Sequence, residues 1–145
     1  KINSREKFKA KLAGLNLGLE NRLKTKVKLL SGGQRQALTL VMATLQKPKL
    51  LLLDEHTAAL DPRTAVKVMD ITDKIIEKNN LTTMMVTHNM HDAIHHGNRL
   101  IMMYKGKIVV DIKGQEKKEL TVPELLARFE YASGDSFAND RALLG

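Results

Sequence analysis

Lys49-Leu50-Leu51-Leu52-Leu53-Asp54-Glu55 is the stretch on which the fold turns. Four consecutive leucines bounded by charge read as a short strand covered on both faces, as in the parallel sheet of an α/β protein. The flanking sequence agrees. Upstream, Ser31 precedes a periodic segment, Gln34 to Gln46, in which Leu38, Val41, Met42 and Leu45 share one helical face, and Pro48 cannot continue it. Downstream, Asp61-Pro62 supplies an N-cap and a first-turn proline, and Val66, Met69 and Ile76 form an apolar stripe that Asn79-Asn80 ends. Leu81 to Thr87 (LTTMMVT) is β-rich and reads as a second buried strand. Strand, helix, strand in this order predicts an α/β chain with a parallel sheet.

Farther out, residues 4–13 read as a helix with Ser4 as cap, and Asn89 to His96 as a short helix ended by Gly97. Arg99 to Tyr104 and Lys107 to Ile112 flank Lys105-Gly106 as a β-hairpin. Thr121-Val-Pro-Glu124 is a capping box that starts a helix to about Tyr131. The Met84-Met85 and Met102-Met103 pairs read as core filling. No element is assigned from Ser133 onward.

Composition narrows the function classes. The 145 residues are 43% hydrophobic and 28% charged, a globular balance, and contain no Cys, which excludes disulfides, thiolate metal sites and a cysteine nucleophile. No apolar run approaches the roughly 20 residues of a membrane helix. The net charge of +8 is uneven: residues 1–30 hold nine Lys/Arg against Glu6 and Glu20, leaving the rest nearly neutral. A basic arm suits nucleic acid, an anionic surface or a phosphate ligand, but three Phe, two Tyr and no Trp are few stacking platforms for single strands. The chain opens on Lys1, which suggests a piece of something longer.

Three elements carry chemistry. In Leu30-Ser31-Gly32-Gly33-Gln34, glycines allow close backbone approach, and a helix N-terminus and a hydroxyl attract anions; an ordinary Ser N-cap with flexible glycines is the plainer alternative. Asp54-Glu55 stand at a strand carboxyl end, where ligands of α/β sheets gather. One acid holding Mg²⁺ and the other orienting water is the division phosphoryl transfer requires; a solvated strand end is the plainer alternative. His88 follows the second strand, at the same sheet edge if the strands are parallel. His88, His91 and His95 also have helical spacing for a metal, although exposed histidines on a short helix are commonplace.

The ordered set of LSGGQ, LLLLDE, AALD and a strand followed by His resembles the ATP-binding subunits of ABC transporters. In that resemblance Leu30–Gln34 is the signature motif, Leu50–Glu55 the Walker B strand, Ala58–Asp61 the D-loop and His88 the switch histidine. The resemblance spans residues 20 to 112 and implies a partial P-loop NTPase (RecA-like) sheet, part of a helical subdomain and a C-terminal hairpin. It implies a division into residues 1–46, helical subdomain with signature; 47–131, RecA-like core; and 132–145, tail. It implies ATP and Mg²⁺ as cofactors, and ATP hydrolysis coupled to solute transport. Ser31, Gly32 and Gly33 would meet the γ-phosphate of ATP bound to a head-to-tail partner subunit, and Gln34 would support that loop. Asp54 would hold Mg²⁺, Glu55 would polarise the attacking water, His88 would sense the γ-phosphate and Asp61 would couple the two sites. Transmembrane permease subunits are the implied partners, and the location is peripheral on the cytoplasmic face of the membrane. The motif spelling and Arg141-Ala-Leu-Leu resemble importers served by a substrate-binding protein; no nucleic acid is expected.

Two departures stand out. The family has Pro after the Walker B Glu, where this chain has His56, and no GxxxxGK[ST] phosphate loop occurs in the 145 residues. The expected reading is therefore the C-terminal part of a nucleotide-binding domain, inactive alone. The alternatives are a soluble relative acting on nucleic acid or the ribosome, and a catalytically inert interaction module.

Overall fold

A computed structural model describes residues 3–134; the tail expected from 132 and the Arg141-Ala-Leu-Leu match lie largely or wholly outside them. The chain divides into two compact units, residues 1–86 and Thr87 onward, each with its own apolar core.

The first unit contains α1 (Ser4–Ala13), two short 3₁₀ turns (Leu19–Asn21 and Val27–Leu29), α2 (Gly32–Ala43), β1 (Leu51–Asp54), α3 (Pro62–Asn79) and β2 (Thr83–Val86). The cap of α1 is Asn3, one residue before the expected Ser4: its side chain accepts from the Arg5 N–H. Strands β1 and β2 pair in parallel, with Leu51 opposite Thr83 and Asp54 opposite Val86, as the α/β reading requires.

Burial corrects the two-faced strand. Leu51 and Leu53 are buried, whereas Leu52 is 65% exposed, and Met84 and Val86 are exposed on the neighbouring strand. The core under the buried face draws on Leu12, Leu30, Leu40, Val41 and Ile71. The opposite face has no cover among the described residues, so the leucine run is half-buried.

Helix α2 also differs. It ends at Ala43, and its buried seam is Gly33, Ala37, Leu40 and Val41, while Met42 and Leu45 are exposed. Small residues bring α2 close to α3, so Ala37, fully shielded, outranks larger apolar neighbours. On α3 the seam is Val68, Met69, Ile71 and Thr72, and Val66 faces outward. Asn80 closes α3 in the left-handed conformation, with φ at 46°.

The second unit holds α4 (Met90–His95), β3 (Arg99–Tyr104), β4 (Lys107–Lys113), α5 (Gly114–Glu119) and α6 (Val122–Ser133). The hairpin forms as expected, with Lys105 and Gly106 at φ 47° and 76°, the paired positive values of a two-residue turn. The Thr121–Glu124 capping box is present in both directions. Packed around Ile112 and Leu125 are Met90, Ile94, Leu100 and Phe129, with Tyr104 meeting Phe129 edge-on at 5.7 Å. Only one member of each methionine pair is core: Met84 and Met103 are exposed, because period-two strands turn adjacent residues to opposite faces.

Helix α5 is absent from the sequence reading, and it carries a buried lysine. Lys117, 2% exposed, donates to the carbonyls of Ile94 and His96 at the C-terminal end of α4. Its aliphatic stem fills core space while the ammonium caps carbonyls that have lost their helical partners. Burial pushes that ammonium below the usual lysine range.

Candidate functional site

Ser31 is the N-cap of α2. Its Oγ accepts the Gln34 N–H at 3.2 Å, and the Ser31 N–H donates to Gln34 Oε1 at 3.0 Å. This reciprocal box uses the hydroxyl oxygen as acceptor and leaves its proton for a ligand oxygen. The Gln34 amide also reaches back, Nε2 donating to the Leu17 carbonyl at 2.9 Å. Arg35 Nη1 donates to the Leu30 carbonyl at 2.8 Å, fixing the residue that enters the motif. Sequence reasoning found Ser31 and Gln34 but missed Leu17 and Arg35, because the carbonyl contacts leave no trace in local pattern.

The two glycines have a packing cause. A Cβ on Gly33 would lie 2.4 Å from Thr64 Cγ2, and one on Gly32 would lie 2.9 Å from Leu60 Cδ2. The start of α2 is thus seated directly on the loop and first turn that precede and open α3. The first-turn amides of Gly32 and Gly33 are donors without an intrahelical acceptor, at the positive end of the helix dipole. Packing and anion attraction here ask for the same residue type.

Asp61 caps α3: its Oδ1 accepts the Thr64 N–H at 3.0 Å, and hydrogen bonds from Thr64 hold the carboxyl below the usual carboxylate range. Thr64 therefore touches both motifs, being capped by Asp61 and packed under Gly33.

Between these motifs and β1 runs a tight loop. Asp54 ends β1 with an exposed side chain. Glu55, also exposed, sits at φ 45°, a left-handed conformation that disfavours a side chain. It is held there because its N–H donates to Val86 O at 2.9 Å and its carbonyl accepts from Ala58 N–H at 3.0 Å. The strain re-aims the chain just after the strand, so that consecutive acids do not simply alternate across the sheet. Next to it His56 Nε2 lies 3.1 Å from Thr72 Oγ1.

An exposed carboxylate at a strand end fits Mg²⁺, which takes one or two protein carboxylates and completes its shell with water and phosphate oxygens. No group of three His, Asp or Glu side chains among the described residues is arranged to hold an ion by protein alone. In the second unit His88 is exposed, before α4, whose cap Asn89 accepts the Asp92 N–H at 3.2 Å. His91 and His95 stack at 6.2 Å, and His95 Nδ1 donates to the His91 carbonyl. Thus Ser31–Gln34 and Leu60–Thr64 are brought into contact in the first unit, Asp54 ends β1 there with Glu55 next to it, and His88 belongs to the second.

Residues 3–58 match the profile of the family described as ABC transporter. Over these residues and beyond them the chain is similar to the ATP-binding proteins of the ABC transporter family. It is 56% identical over 121 residues to a tyrosine transport ATP-binding protein of Clostridioides difficile, covering 83% of this chain and 48% of that protein. A methionine import ATP-binding protein of Oceanobacillus iheyensis is 38% identical over 89% of this chain and 37% of its own length. An aliphatic sulfonates import ATP-binding protein of Agrobacterium fabrum is 42% identical over 57% and 32% respectively. The chain therefore spans about half or less of the length of these ABC relatives. No described helix is long and apolar enough to cross a membrane.

Proposed function

We propose that the complete protein is the ATP-hydrolysing subunit of a membrane importer. The observation that carries this reading is the seating of Gly32 and Gly33 on Leu60 and Thr64. It holds an open helix N-terminus against the loop that leaves the acidic end of β1. Each subunit would offer its helix end to ATP bound on a second, head-to-tail subunit. There the Ser31 hydroxyl and the Gly32 and Gly33 N–H groups donate to γ-phosphate oxygens, and Gln34 keeps the loop closed. Asp54 would hold Mg²⁺, which would supply positive charge against the phosphate oxygens. Glu55 orients the attacking water and takes its proton. His88 meets the γ-phosphate, and Asp61 passes the state of one site to the other. These fixed donors act mostly by positioning and electrostatics, the demand phosphoryl transfer makes of a protein.

Residues 1–46 act in the helical subdomain and 47–131 in the RecA-like core. Permease subunits and a substrate-binding protein complete the assembly, with this subunit peripheral on the cytoplasmic face. The names of the relatives favour a small organic solute of the amino-acid class. The 145 residues alone are inactive, because they contain no phosphate loop. In the complete protein Glu55→Gln is expected to keep ATP binding and to lose most Mg²⁺-dependent turnover. An unchanged rate overturns Glu55 as the base, and appreciable turnover by residues 1–145 overturns the need for a further phosphate loop.

A further inference from the structure

His56 follows Glu55, whose φ is 45°, and its imidazole occupies a half-buried position. What it touches gives it rigidity. Thr72, in the third turn of α3, is 1% exposed, and its Oγ1 lies 2.8 Å from the Val68 carbonyl and 3.1 Å from His56 Nε2. A hydroxyl has one proton, and a carbonyl can only accept, so the Thr72 proton goes to Val68 O. Thr72 Oγ1 must then accept, and His56 Nε2 must carry the donated hydrogen.

The loop is consequently tied on two sides. The Glu55 N–H fastens it to β2 through Val86 O at 2.9 Å, and the His56 ring fastens it to α3. Two further bonds fold the segment on itself: Ala58 N–H to Glu55 O and Leu60 N–H to Thr57 O, each 3.0 Å. A left-handed residue is retained only where its surroundings over-determine it. A tether one residue away, reaching a buried hydroxyl in a long helix, supplies that determination.

We propose that His56 is a positioning residue for Glu55, working through an Nε2–H···Oγ1 tether to Thr72. Proline restricts this position through its ring; here the restriction comes from a side-chain hydrogen bond to the neighbouring helix. The proposal rests on the reading of Glu55 as the group that orients water. It places His56 outside the chemistry: its loss misaims the carboxylate and leaves nucleotide affinity alone.

The test uses the complete protein in four variants: Thr72→Val, Thr72→Ser, His56→Leu and His56→Gln. Thr72→Val removes the acceptor at near-constant volume, and Thr72→Ser restores it. His56→Leu removes the donor, and His56→Gln keeps an N–H of similar reach. Thr72→Val and His56→Leu are expected to lower kcat about tenfold with KM for ATP unchanged, a loss between that of one hydrogen bond and that of an ångström-scale misplacement. Thr72→Ser and His56→Gln are expected to recover most of it. Nitrogen NMR of the imidazole supplies the readout independent of turnover: an Nε2–H tautomer in the wild type and in Thr72→Ser, lost in Thr72→Val. If Thr72→Val fails to fold, the His56 pair, on a partly exposed side chain, carries the kinetic comparison. An Nδ1–H tautomer in the wild type overturns the tether. A kcat indifferent to both Thr72→Val and His56→Leu, or a loss not recovered by the conservative variants, overturns the positioning role. A wild type that hydrolyses no ATP removes the reading of Glu55 itself, a different failure that the NMR result does not share.

Discussion

Replacing Gly33 by Ala would set a methyl carbon 2.4 Å from Cγ2 of Thr64. Non-bonded carbons prefer about 3.5–4.0 Å, so α2 or the α3 side chain must yield by more than about 1 Å. Overpacking of this kind costs about 1–3 kcal/mol. Ala also restricts the unfolded chain and favours helix, an opposing gain of about 0.5–1 kcal/mol. The net expectation is a loss of about 1–2 kcal/mol in urea unfolding followed by circular dichroism. The informative arm is the same change in a Thr64→Ser background, where Cγ2 is gone. The next heavy atoms are then Val68 Cγ2 at 3.6 Å and the Cβ of residue 64 at 3.9 Å, both ordinary contacts. There Gly33→Ala should be neutral or stabilising, giving a coupling between positions 33 and 64 of about 1–3 kcal/mol. Equal destabilisation in the two backgrounds would refute the argument that Thr64 is why position 33 is glycine.

Other consequences are simpler to check. Lys117→Ala strips two hydrogen bonds from the end of α4 and leaves a void, and should cost about 2–4 kcal/mol in the same unfolding assay; an unchanged midpoint refutes the capping role. The Asp111 carboxyl is held below the usual range by the two-pronged Arg99 contact, Nε to Oδ1 at 2.8 Å and Nη2 to Oδ2 at 2.6 Å. Because its folded pKa is depressed, its contribution is present above the unfolded carboxylate pKa of about 3.9 and lost as pH falls through the folded value. NMR titration should show the Asp111 midpoint rising in Arg99→Met, and a stationary midpoint contradicts the pairing. The exposed Leu52, Met84 and Val86 should bind an apolar fluorescent dye in the 145-residue chain, and Leu52→Ser with Met84→Ser should reduce that fluorescence; equal signal would locate the apolar surface elsewhere.

Where the sequence was legible, a local physical rule acted alone. The Ser31 cap, the Thr121 box, the Asp61-Pro62 start and the Lys105-Gly106 turn all depend on a few adjacent residues, and all formed. The parallel strand pair followed from apolar runs separated by a helix. What failed was the assignment of faces. Leu52 reads as core because leucine is apolar, yet exposure depends on what packs above it. Gly33 reads as room for a ligand and Ala37 is not singled out, yet both lie on the seam, since close approach rewards the absence of side chain. Helix α5 escaped because Gly114–Glu119 is polar and short and is anchored by one lysine whose burial no pattern announces. In the candidate site, residue identities came from motif order. The contacts of Thr64, Leu17 and Thr72 are made across the fold, and the pairing of His56 with Thr72 spans 16 positions.

The Gln34 amide shows how much information one such contact can add. A helix-start rule accepts Glu or Gln at this place, because either can receive the Ser31 N–H. Here the far end of the side chain must also give a hydrogen to the Leu17 carbonyl, and a carboxylate has none to give. The choice between two nearly identical residues is thus made by a carbonyl 17 positions earlier, facing the opposite pole of the same small dipole. A designer who rewrote α2 by helix rules alone would accept Gln34→Glu as an equal exchange and set two oxygens against each other beside the Ser31-Gly32-Gly33 turn.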